Sequence, residues 1–168
     1  AHEIQGLLRQ KRVNMAFFEN ERNGVVFMTS DKIGARHAFS TRHGGVSGGI
    51  FESLNLAEGR GDDEAHVREN YRRLSQAAGI DLSRCAFTRQ VHGGEVRVAG
   101  PGDEHELFAV VPYEADGLVT RERGLALICF TADCVPLLMC DAENGVIAAV
   151  HCGWRPTAAD IMAEAVRK

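Results

Sequence analysis

The sequence predicts a mixed α/β fold of the α+β kind, one domain with a mixed central sheet flanked by helices. Three observations carry that expectation. Short runs rich in Val, Ile and Leu recur along the chain and are bounded by Gly, Asp and Asn, the pattern of strands and their turns. A mid-chain segment carries apolar residues at helical spacing, and a second helix is read at the end, after Pro156. The 168 residues suffice for a single domain, 1–168, with a real core, and no repeat, low-complexity tract or linker divides them.

Taken in order, residues 1–21 have a mixed pattern (Ile4, Leu7, Leu8, Phe17, Phe18) that suits a short strand or a turn of helix. Residues 24–28 read as a strand, with a turn at Ser30 and Asp31, and residues 35–41 as a second strand by alternation. Residues 41–49 hold four glycines in nine positions, which reads either as a flexible connection, the favoured reading, or as a loop whose N–H groups approach a phosphate. Arg42 at its start offers a fixed positive fork for phosphate or carboxylate. Asn55, between two leucines, needs a partner in the backbone or in a substrate. Residues 61–79 form the clearest helix: Asp62 or Asp63 caps it, Val67, Tyr71, Leu74 and Ala78 make one apolar face, and Gly79 ends it. His66, Arg68, Arg72 and Arg73 belong to its solvated side.

Residues 85–92 read as a strand running to His92, followed by strands at 95–99 and 115–120 around an acidic loop at 101–106. The chain is organised around 125–154, LALICFTADCVPLLMCDAENGVIAAVHCGW. Its two greasy runs, 125–130 and 145–150, read as buried strands; one leads into Thr131, Ala132, Asp133 and Cys134, the other into His151. Pro156 sits at the start of a last helix, 157–168, where its missing N–H costs nothing. No cap, Gly or Pro closes that helix, so the chain is expected to lack the C-terminal portion of its domain.

Composition narrows the function. A net charge of −4 argues against nucleic acid or an anionic membrane as partner. The five cysteines have no CxxC pair, and the four in or beside the apolar strands read as reduced, mostly buried thiols. With no signal-peptide core in the first residues and no apolar run long enough to span a bilayer, the expected location is cytoplasmic and the expected state a monomer.

His92, Cys134 and His151 each stand beside Gly, Asp or a turn at the end of an apolar run, where functional groups gather. Two imidazoles and a thiolate suit zinc, and three protein ligands leave a fourth position open to water or substrate. Asp133 is the candidate acceptor for a ligand histidine, or the general base.

Seven motifs then appear in order: TRHGGVS at 41–47, SLNL at 53–56, GDD with HVREN at 61–70, QVHG at 90–93, ADG at 115–117, TADCVP at 131–136 and HCGWR at 151–155. Together they closely resemble the family first described as multicopper polyphenol oxidases, or laccase-domain proteins. That family is also known as peptidoglycan editing factor and as purine nucleoside phosphorylase with adenosine deaminase activity. The resemblance implies a laccase-domain type of α/β fold and a metal held by His92, Cys134 and His151. It implies phosphorolysis of purine nucleosides to base and ribose 1-phosphate, with hydrolytic deamination of adenosine at the same site. Substrates would then be a purine nucleoside and phosphate, the cofactor Zn2+, and Arg42, Asn55 and Gln90 the substrate contacts. Pro156 stands where the family usually has a small residue, and family members continue well beyond residue 168. The alternatives are a copper (Cu2+) polyphenol oxidase, for which one Cys and two His are too few for a cluster, and a non-enzymatic metal-binding protein linked to peptidoglycan editing.

Overall fold

The structure, a computed structural model, describes residues 17–168; Ile4, Leu7 and Leu8 lie outside the described residues. Strands β1 (Phe17–Arg22) and β2 (Val25–Ser30) form a hairpin. Its turn is Asn23-Gly24, both at positive φ (52° and 77°), the conformation that lets a two-residue turn follow the twist of its strands. Strand β3 (Phe39–Ser40) pairs with the other edge of β2. The longer strand expected over 35–41 shrinks to these two residues. The reason is His37, whose Nε2 accepts the Ser30 N–H at 2.8 Å while its Nδ1 meets the Ala35 carbonyl at 2.8 Å, so a ring replaces the backbone ladder.

Helix α1 (Glu64–Ala78) starts on Asp63, whose carboxylate accepts the Ala65 N–H, and ends on Gly79 at φ 65°. Its inner face carries Ala77 and Ala78 against Val25, Phe27 and Leu54. This helix therefore covers the β1–β2–β3 sheet and not the central one.

The central sheet has strand order β5 (Val96–Ala99), β6 (Gly117–Thr120), β9 (Val146–Cys152) and β8 (Val135–Asp141). β5 and β6 run parallel and the other pairs antiparallel, so the sheet is mixed, as expected. Helices α2 (Trp154–Ala158) and α3 (Ile161–Arg167) follow β9. The single closing helix expected over 157–168 is split by Asp160, which adopts φ 57°. Ile161 and Ala165 of α3 pack on Val96, Val119, Ala148 and Val150 and form the core on one face.

Two expected strands are much shorter than their apolar runs suggest. Of 85–92 only β4 (Cys85–Ala86) is strand, and of 125–130 only β7 (Ala126–Leu127), the two pairing in parallel. Beyond these residues several backbone N–H groups bond to side chains. Those of Val91, His92 and Gly93 go to the Asp116 carboxylate, and that of Phe130 goes to the Gln90 amide oxygen. The expectation of mostly buried cysteines also needs correction: all five are free thiols, but Cys85 alone is buried and the other four are half-buried. No helix among the described residues is long and apolar enough to cross a membrane.

Candidate metal centre

His92, Cys134 and His151, separated by up to 59 positions in the chain (151 − 92), bring one ligand atom each to within 4.8 Å of one another. Three different local structures do this. His151 is the next-to-last residue of β9, and its backbone N–H donates to the Asp116 carbonyl at 2.7 Å. Cys134 immediately precedes β8, and the β8–β9 register, with Val135 opposite Cys152 and Pro136 opposite His151, sets it beside the end of β9. The expected strand end at Cys134 is thus a strand start. His92 sits in a turn at φ 58°, a conformation non-glycine residues rarely adopt and that needs external support.

Asp116 supplies that support. Its carboxylate is 1 % exposed and accepts four N–H donors: His151 Nδ1 at 2.8 Å, His92 N at 2.9 Å, Gly93 N at 2.7 Å and Val91 N at 3.2 Å. Burial opposes its charge, but the bonds from His151 and the Gly93, Val91 and His92 N–H groups prevail and hold the carboxyl below the ordinary aspartate range. An ionised Asp116 keeps the His151 proton on Nδ1, so Nε2 presents its lone pair toward His92 and Cys134.

The remaining geometry fits a metal. Cys134 Sγ lies 3.8 Å from His92 Nε2, close to the ~3.6 Å that tetrahedral zinc with bonds of about 2.0–2.3 Å would impose. The two imidazoles meet edge to face, with centroids 4.7 Å apart. Gly153 closes the site from behind. A Cβ there would come within 3.1 Å of His92 Cδ2 and 3.2 Å of Cys134 Sγ, so the absence of a side chain is what leaves the cradle open. His92 is exposed, Cys134 half-buried and His151 buried, which grades the site from solvent into the sheet.

The triad opens on a broad cleft of about 1650 Å3 that Arg42, Asn55, Gln90 and Asp133 also line. Their surroundings differ from the expectation. Asp133 is exposed on the cleft wall, and the carboxylate that holds a histidine is Asp116 instead. Both ends of the Gln90 amide engage the Phe130 backbone, Nε2 donating to its carbonyl at 2.7 Å and Oε1 accepting its N–H at 2.8 Å. Gln90 therefore staples the segment leading to Cys134 onto the segment bearing His92. Asn55 donates to Asp62 at 2.8 Å and accepts the Ala57 N–H at 3.0 Å, so its side chain is tied into local structure. Arg42 is exposed and donates to the Glu52 carbonyl.

The glycine-rich loop is tied down by side-chain and backbone bonds, which use four of its N–H groups. The N–H groups of His43, Gly45, Val46 and Ser47 bond to Thr41 Oγ1, Ser53 Oγ, Asn70 Oδ1 and the Ser53 carbonyl. Asn70, fully buried on α1, also donates to Ser47 Oγ and the Asn55 carbonyl, and Asp62 accepts from Ser47 at 2.6 Å. Gly44 and Gly45 allow close backbone passage, since a Cβ at either would fall within 2.2 Å of a carbonyl oxygen.

Reasoning from residue types missed Asp116, Gly153 and Phe130. Only Asp116 left a signal, a carboxylate opening the greasy run GLVT, where a buried charge must find several partners.

Comparison with known proteins places the chain among relatives. A purine nucleoside phosphorylase of Deinococcus radiodurans is 42 % identical over 135 residues, covering 80 % of this chain and 49 % of the relative. One from Streptomyces coelicolor is 42 % identical over 135 residues, covering 80 % and 54 %. The chain thus spans about half the length of the curated relatives it matches. The crystal structure of YlmD from Geobacillus stearothermophilus superposes with a TM-score of 0.79 at 31 % identity, over 91 % of this chain and 58 % of that one. Residues 36–168 match the family described as multi-copper polyphenol oxidoreductase laccase, and the chain belongs to that family.

Proposed function

We propose that this protein is a zinc-dependent purine nucleoside phosphorylase that also deaminates adenosine. The observation that carries the reading is the convergence of His92, Cys134 and His151 in a cleft, with the His151 proton fixed by a buried carboxylate. The similar proteins named purine nucleoside phosphorylase supply the substrate class.

The donor set would hold zinc, which when bound supplies Lewis-acid polarisation and an activated water. The chain's own groups do the rest. Asp116 keeps Nε2 of His151 unprotonated, the Gln90 staple fixes the spacing of His92 and Cys134, and exposed Asp133 exchanges protons with substrate at the cleft wall. With the N–H groups of His43, Gly45, Val46 and Ser47 engaged, phosphate is met by side chains, and Arg42 in the cleft is the candidate. In phosphorolysis a phosphate oxygen forms the bond to C1′ as the C1′–N9 bond breaks; the base leaves with a proton, and ribose 1-phosphate remains. In deamination, water and adenosine give inosine and ammonia.

The test is metal analysis of the full-length protein, then incubation with inosine or adenosine, with and without phosphate. Hypoxanthine and ribose 1-phosphate formed only with phosphate, and inosine plus ammonia formed from adenosine, are expected. Absence of turnover by zinc-loaded protein refutes the proposal. Copper-dependent phenol oxidation would establish the activity that the family description names, but the described residues bring together one three-ligand group, too few for a multicopper cluster.

A further inference from the structure

We infer that the Phe130 ring is the wall on which the substrate's nucleobase stacks, which makes Phe130 a specificity-determining residue for two-ring bases; this rests on the nucleoside reading above. Phe130 is 38 % exposed and lines the cleft together with His92 and Cys134, four residues along the chain from the thiol. Its position is rigid. The Gln90 amide holds both backbone polar groups, and the buried Phe87 ring meets the Phe130 ring edge to face at 5.6 Å. An apolar ring held fixed and left open at a polar site is a surface awaiting a flat partner.

Of the Phe, Tyr and Trp rings that line the cleft, Phe130 alone among the described residues is exposed, and Phe39 and Phe51 are half-buried. Tyr71 and Phe87 are buried, and Phe108 has the Arg68 guanidinium over its ring at 4.3 Å and the Tyr71 ring against it at 5.5 Å. Trp154, 74 % exposed, lies outside the cleft lining, with Arg155 over its ring at 5.1 Å. Every base has a π-face, and a purine offers more of it than a pyrimidine, so one fixed ring discriminates by stacking area.

The experiment compares zinc-loaded full-length wild type, Phe130→Leu and Phe130→Tyr by calorimetric binding of inosine and uridine, alongside phosphorolysis of inosine. Phe130→Leu is expected to weaken inosine binding about tenfold or more, to narrow the inosine-over-uridine preference, and to leave zinc content and circular dichroism unchanged. Phe130→Tyr, which keeps the π-face, should bind within about twofold of wild type. Inosine binding by Phe130→Leu within twofold of wild type overturns the inference, as does loss of zinc from that variant, which would make Phe130 a support of the metal site. Wild type that binds inosine without splitting it refutes the phosphorylase proposal while the binding comparison still judges Phe130. Wild type that binds no nucleoside refutes both.

Discussion

Asp116→Asn separates a positioning carboxylate from a mere turn residue. Oδ1 of Asp116 accepts His151 Nδ1–H and the His92 N–H, and Oδ2 accepts the N–H groups of Gly93 and Val91. Asparagine replaces one of these oxygens by an NH2 group, and either orientation fails. With NH2 at the Oδ2 position, two backbone N–H donors face a donor in a site that is 1 % exposed. With NH2 at the Oδ1 position, His151 must move its proton to Nε2 and blocks its own lone pair. Loss of partners for buried donors costs about 1–3 kcal/mol, which for a chain of this size lowers Tm by roughly 4–8 °C at the midpoint of that range. Removing the partner of a metal-binding histidine typically weakens metal affinity about 10- to 100-fold. Competition between the protein and a chromogenic zinc chelator measures that affinity directly. The matched control is Asp133→Asn, which should keep zinc within about twofold and lower kcat by about a hundredfold or more if Asp133 moves the proton. Zinc affinity in Asp116→Asn equal to wild type, in a protein with native circular dichroism, would refute the reasoning.

Three further outcomes are expected. Cys134→Ala should abolish stoichiometric zinc and activity while retaining the fold, because Cys134 is half-buried and outside the core clusters; a globally unfolded circular dichroism spectrum would count against this placement. Gly153→Ala should weaken zinc about tenfold, because its Cβ reaches His92 and Cys134 at 3.1 and 3.2 Å and the triad must spread; the chelator competition reads this as well. Asp62 has its pKa held below 3.8 by bonds from Asn55 and Ser47, so it stabilises the fold above about pH 4 and that contribution is lost as pH falls through its lowered value. Thermal melts between pH 7 and pH 3 should accordingly show a shallower acid loss in Asp62→Asn than in wild type.

How much of this was legible in the sequence depends on what each residue's neighbours are. Helix α1 was read nearly to the residue because its signals are local: Asp63 caps, Val67 and Tyr71 recur at one turn, and Gly79 supplies the left-handed stop. Strand β9 was also local in origin. The apolar runs at 85–92 and 125–130 misled because hydrophobicity reports burial, not pairing. There, side chains remote in sequence, Asp116 and Gln90, take the N–H groups that a ladder would have used. The candidate metal ligands were legible because Cys and His stand out in greasy settings. Their supports were not, because Asp116 and Gly153 look like ordinary turn residues until the fold sets them against the triad.

The same contrast explains the loop at 41–49. Four glycines in nine residues suggest either freedom or a cradle, and both readings assume that the N–H groups are available. In the fold, four of them are taken, those of His43, Gly45, Val46 and Ser47, while Arg73 of α1 holds the Gly44 carbonyl and Asp62 accepts from both Ser47 and Asn55. The glycines are there because Gly44 and Gly45 pass so near the backbone at Gly24 and Ser53 that no Cβ fits. A loop pinned in this way has few N–H groups left to turn toward an anion. It can, however, hold the backbone at Arg42 in a fixed place on the cleft, so the phosphate contact proposed for this residue would require less of the chain to be ordered on binding.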